Sequence, residues 1–162
     1  MAVLSSVHDP QAQTLTITAE FKAPPDHVWA LWQDPHKLER WWGPPGWPAT
    51  FLVHTLEPGS RSDYFMTGPN GVRSPGWISV LAANAPKALE FDDGFSDPTG
   101  VPDRTMPTTH GRLELNADGA RTRMTLISTW DSPEDMQKLL DMGMEEGMKL
   151  AMGQMDALLE ER

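Results

Sequence analysis

The sequence predicts an α+β fold in which helices cover one face of a curved, antiparallel sheet. Two observations carry this reading. From Ala49 to Trp130 the chain divides into five or six β-type runs separated only by turn chemistry, at Pro58-Gly59, Gly68-Pro69-Asn70-Gly71, Asn84-Ala85-Pro86, Ser96 to Asp103, and Asn116-Ala117-Asp118-Gly119. Runs spaced in this way form consecutive hairpins, whereas a parallel sheet needs strands alternating with helices. From Met136 to Leu159 the apolar positions 136, 139, 140, 144, 148, 151, 155, 158 and 159 follow helical spacing. A helix of about 28 residues would be roughly 40 Å long, and only a whole sheet covers its apolar face.

The elements follow in order. Thr14 to Phe21 alternates apolar and polar residues, so Leu15, Ile17, Ala19 and Phe21 face inward on a first strand. Pro24-Pro25-Asp26 ends that strand and suits the first turn of a short helix carrying Val28, Leu31 and Trp32 on one face. Asp34 with Pro35 starts a second short helix bearing Leu38, Trp41 and Trp42, which Gly43-Pro44-Pro45-Gly46 terminates. In the β region, Thr109, Gly111, Leu113 and Leu115 alternate with His110, Arg112 and Glu114, placing His110 toward solvent. Ser132-Pro133-Glu134-Asp135 caps and starts the long helix. Gly143 and Gly147 are read as lying on one face inside it, near Leu139, Leu140 and Met144.

Composition narrows the class. The 162 residues fit one domain, 1–162, and at 39% hydrophobic and 22% charged they belong to an ordinary globular chain. No apolar run reaches the roughly 18 residues of a membrane span, and the N-terminus has no secretory pattern. A cytoplasmic location is the default expectation. With no cysteine, thiolate metal sites, disulfides and cysteine nucleophiles are excluded. The net charge is −10, of which residues 82–162 carry −8, so nucleic acid is not an expected partner.

Few motifs bear chemistry. The five histidines His8, His27, His36, His54 and His110 lack metal-ligand spacing, so no metal and no cofactor is expected. Glu90, Asp92, Asp93 and Asp97 surround Gly94 without the ligand order of a calcium loop and read as a solvated hairpin end. Ser128 and Ser132 occupy no nucleophile elbow, and there is no glycine-rich phosphate loop. The acid–base candidates are His54, Glu57, Tyr64, His110 and Asp93. Tyr64 shares its strand face with Ser62 and Met66, which makes it the foremost polar group for orienting a ligand. Five of the seven tryptophans, Trp29, Trp32, Trp41, Trp42 and Trp47, fall within 19 residues.

Phe21-Lys22-Ala23-Pro24-Pro25-Asp26-His27-Val28-Trp29, Asp34-Pro35 and Trp41-Trp42-Gly43 resemble the opening of START-like (SRPBCC) proteins, within the subgroup named after the activator of the heat-shock protein 90 ATPase. Gly68-Pro69-Asn70-Gly71 resembles its central hairpin, and Asp135 through Gly143-Met144-Glu145-Glu146-Gly147 its last-helix motif. The resemblance spans about residues 14–160. It implies a helix-grip fold, a long C-terminal helix over a strongly bent antiparallel sheet enclosing a hydrophobic cavity. One departure is Ser62, where the family commonly has tryptophan, which implies a wetter or larger cavity. The 162 residues include no counterpart of the co-chaperone's separate N-terminal domain.

The resemblance implies no particular reaction. The long helix over a bent sheet, the aromatic density near one loop and the lack of an assembled catalytic group point to non-catalytic binding of a small hydrophobic molecule or lipid, with Trp41, Trp42, Trp47, Tyr64, Met66, Gly143, Met144 and Gly147 as expected ligand contacts. Two alternatives stay open: interaction with a chaperone, and a cyclase or hydrolase acting in the same cavity. A homodimer is also left open.

Overall fold

A computed structural model describes residues 2–161. Its elements are β1 (Val3–Asp9), β2 (Thr14–Phe21), α1 (Pro25–Gln33), α2 (Pro35–Trp41), β3 (Ala49–Val53), β4 (Arg61–Thr67), β5 (Arg73–Asn84), β6 (Ala88–Phe95), β7 (Thr109–Asp118), β8 (Arg121–Thr129), α3 (Pro133–Asp141), α4 (Met144–Gly153) and α5 (Met155–Glu160). The eight strands form one sheet in the order β1-β2-β8-β7-β6-β5-β4-β3, every pair antiparallel. The architecture is the helix-grip α+β fold. The five or six β runs expected after the short helices are six strands, β3 to β8, and β1 adds an edge strand before the expected first one. Only Val3 and Ser6 are half-buried and its other five residues are exposed, so it leaves no period-two signal.

The inward face is built by alternation. Leu15, Ile17, Ala19 and Phe21 of β2 are all buried, as are Leu113 and Leu115 of β7 and Met124 and Leu126 of β8. Register shifts at Leu52 in β3 and Leu81 in β5 place one extra residue in each strand, which increases local bend and twist. On the outer face, the segment after β6 covers Trp77, whose indole N–H donates to Phe95 O at 3.1 Å while the Arg104 guanidinium lies 4.9 Å from its ring.

The short helices are as their start signals require. Asp34 accepts from the His36 backbone N–H at 2.9 Å, capping α2, and Pro35 occupies its first turn. Ser132 likewise caps α3 by accepting from Asp135 N at 3.1 Å. The C-terminal helical run lies where periodicity puts it but is not one unbroken helix. Gly143 adopts φ +84°, between α3 and α4, and a further break at Gln154 separates α5. Gly143 is therefore not a mid-helix residue sharing a face with Gly147. It is a left-handed turn that glycine alone adopts without penalty.

Candidate functional site

Between α3–α4 and the inward face of β4, β6 and β7 lies a cavity of about 190 Å³. Its wall is made by Trp42, Pro44, Tyr64, Met66, Asp93, Gly94, Phe95, Thr109, Leu139, Met144, Gly147 and Met148. Most of this surface is apolar, and three methionines give it an adaptable lining. Gly147 borders the cavity from α4, and a side chain there would meet nothing within 4 Å.

The polar groups gather in one corner. Along β6, Leu89 and Phe91 are buried, and Asp93 and Phe95 continue the same inward alternation. Asp93 therefore faces the cavity, while Glu90 and Asp92 face outward to Arg112 and to His110 Nδ1 at 2.6 Å. The acidic stretch is thus not uniformly a solvated hairpin end. Its inward member is half-buried among apolar side chains, and burial pushes its carboxyl up to about 7, opposed by the hydrogen bond from Tyr64. The Tyr64 hydroxyl donates to Asp93 Oδ1 at 3.1 Å. Burial, foremost, and the neighbouring carboxyl hold the Tyr64 hydroxyl well above its ordinary value, so it stays a phenol.

This reach is made possible by a missing side chain. Tyr64 on β4 and Asp93 on β6 are separated by β5, whose residue opposite Tyr64 is Gly76. A Cβ at Gly76 would lie 2.6 Å from Tyr64 Cζ and Oη and 2.9 Å from Gly94 O. Glycine there lets the phenol lie across the strand. Phe51 stacks on the Tyr64 ring at 4.9 Å, and Trp42 meets it edge-on at 6.2 Å. The Trp42 indole N–H lies near enough to the phenol oxygen to oppose its rise, but lacks hydrogen-bond geometry and has no partner. Thr109, paired with Asp93 across β6–β7, lines the cavity with a hydroxyl that accepts from Trp130 Nε1 at 2.8 Å.

Of the eight expected ligand contacts, five lie on this wall: Trp42, Tyr64, Met66, Met144 and Gly147. Three do not. Trp41 is fully buried in the core, where its N–H donates to Leu31 O at 2.8 Å. Trp47 packs its ring over Gly68 of the β4–β5 turn, where a Cβ would stand 2.4 Å from it. Gly143 forms the turn between α3 and α4 and does not border the cavity. Ser62 does not wet the cavity either. Its hydroxyl is buried and donates to His54 Nδ1 at 2.8 Å, while His54 Nε2–H donates to Trp32 O at 2.8 Å. Burial lowers the His54 pKa, favouring this neutral, doubly bonded ring. Among the described residues, no group of three or more His, Asp or Glu side chains is placed to hold a metal, and no helix is long and apolar enough to cross a membrane.

The profile of the Activator of Hsp90 ATPase homolog 1-like protein family matches residues 22–160. A solution structure from Arthrobacter aurescens is 49% identical over 99% of this chain and 93% of its own, with a TM-score of 0.95. A crystal structure from Mycobacterium smegmatis is 41% identical over 99% of this chain and 98% of its own, with a TM-score of 0.90. A Staphylococcus epidermidis protein is 25% identical over 96% of this chain and 93% of its own, with a TM-score of 0.83. No curated protein matches the chain.

Proposed function

The chain belongs to the Activator of Hsp90 ATPase homolog 1-like protein family, and from that premise we propose that it binds a small, largely hydrophobic molecule in the cavity under α3 and α4. The observation that supports this is an apolar cavity of about 190 Å³ whose polar groups converge in one corner, the usual arrangement of a small-molecule site. Trp42, Tyr64, Met66, Met144 and Gly147 are the contacts this reading assigns, together with Asp93, Phe95, Leu139 and Met148.

Gly147 offers the sharpest test because its side-chain position is open space on the cavity wall. Gly147→Leu fills that space. Native mass spectrometry of wild type from its own host should find a small molecule bound, and the variant should fly empty while keeping its fold by circular dichroism. A wild type that is always empty, and takes up no apolar probe, sinks the proposal. A chaperone-directed role rests on the family's name alone. If wild type and Gly147→Leu both change the ATPase turnover of the host's Hsp90, the function lies on the surface and not in the cavity.

A further inference from the structure

We propose that the Trp42–Tyr64–Asp93 corner is an oxygen-acceptor site, binding a compact single-ring molecule through a carbonyl-type oxygen that accepts from the Trp42 indole N–H and the Asp93 carboxyl. The inference rests on the cavity reading and adds the polar chemistry of the ligand.

Size sets the first limit. A dry apolar cavity of about 150 Å³ holds one benzene ring, so about 190 Å³ admits a ring with a short substituent. Hydrogen-bond accounting then gives the substituent. Trp42 is 3% exposed, borders the cavity and has an N–H with no partner. Buried donors are rarely left in that state, and an acceptor on a guest completes this one. Trp32 also has an unpartnered N–H, but its ring is enclosed by Trp41, Trp42 and Phe91, with centroids at 4.8, 5.9 and 5.8 Å, and borders no cavity.

Asp93 supplies the second donor. Its Oδ1 is already used by the Tyr64 hydroxyl, and the carboxyl stays protonated up to about 7, so it presents an O–H to a guest. Tyr64 is the titratable group facing it across the cavity. From α3 and α4 the facing side chains are Leu139, Met144 and Met148, and from the turn after α2 they are Trp42 and Pro44, none of them charged. Asp92, next along β6, is paired outward with His110 and pushes Asp93 further toward its neutral form. A protonated amine fits poorly here. It would require Asp93 to ionise and would leave the Trp42 N–H unpartnered.

Acetophenone, toluene and benzylamine share one ring and differ in the polar group, so they separate the cases. Each is titrated into the ¹⁵N-labelled chain while the Trp42 indole signal is followed by NMR. Acetophenone should bind about tenfold more tightly than toluene at pH 6, the effect of one well-made hydrogen bond. It should shift the indole signal and lose most of that advantage by pH 8.5. Asp93→Asn should keep the preference and flatten its pH dependence, because the amide donates at every pH. Trp42→Phe should reduce the preference. Toluene binding as tightly as acetophenone, with Gly147→Leu excluding both, overturns the inference and leaves the cavity reading standing. Tightest binding by benzylamine, or acetophenone affinity that rises with pH, also overturns it. No binding by any of the three overturns both.

Discussion

Ser62 and Tyr64 lie two residues apart on the inward face of β4, and each brings a hydroxyl into the core. At Ser62 the polar account is closed: Ser62, His54 and the Trp32 carbonyl bond to one another, and none of the three borders the cavity under α3 and α4. At Tyr64 it is open. The hydroxyl reaches Asp93, but the Trp42 N–H beside it has no partner and the group borders empty volume. A buried polar cluster that satisfies itself is structural, whereas one left incomplete against a cavity is the place the proposed ligand would complete.

The largest effect should come from removing the gap that allows the open corner. Gly76→Ala sets a methyl 2.6 Å from the phenol oxygen and 2.9 Å from a backbone carbonyl, neither of which yields easily. We expect a loss of about 3 kcal/mol in denaturant titration, with the His54 imidazole signals unmoved. If those signals shift as much as the Tyr64 signals, the two corners are not independent.

Ser62→Ala attacks the closed corner instead. It leaves the half-buried His54 Nδ1 without a donor, at a cost of about 2 kcal/mol. Toluene affinity in the cavity should not change, and a tenfold loss would break the distinction between the corners.

Asp93→Asn sharpens it through pH. The native carboxyl is raised from 3.8 to about 7, so the folded state binds more protons than the unfolded state across that window. Wild-type stability contributed by this group is therefore full below about pH 4 and falls as pH rises to about 7. The asparagine variant lacks that fall and should exceed wild type by about 2 kcal/mol at pH 8.5, less than the whole displacement implies because the carboxyl is only half-buried. Equal pH profiles for the two proteins would place Asp93 in water.

The smallest expected effects are at the two glycines of the C-terminal run, one in the turn and one in α4. Gly143→Ala should cost about 1 kcal/mol, since alanine resists φ +84°. Gly147→Ala should gain a few tenths to about 1 kcal/mol from helix propensity, having open space to occupy. Both are read from thermal or urea unfolding, and a destabilising Gly147→Ala would mean that the cavity wall is closed there.

Much of this was legible from residue patterns. Alternation placed Tyr64 and Met66 inward, and turn chemistry marked out five or six strands where the fold has six. Adjacent Trp41 and Trp42 are about 100° apart on a helix, so sequence alone could not tell the core ring from the cavity ring. Asp93 stood among the acid–base candidates, but the acidic cluster around it suggested solvent. The sequence Leu89, Phe91, Asp93, Phe95 read at period two was the signal that would have turned it inward. Apolar spacing runs straight through the Gly143 break, because the turn preserves the buried face on both sides. The partner of Ser62 was out of reach, since His54 precedes it on a connection without periodicity.

The division of the C-terminal run reaches beyond geometry. Its three segments have nine, ten and six residues, all below the about 12–15 residues at which an isolated helix becomes even marginal in water. None carries its own nucleation cost, so each is ordered only by what it rests on. Glu145 of α4 is tied to Ser6 and His8 of β1, and Gln154 donates to Gly43 O at 2.7 Å. The cover over the cavity thus draws its order from the first strand, the tryptophan turn and whatever fills the space beneath, and by mass action an occupant raises the helicity of its own lid.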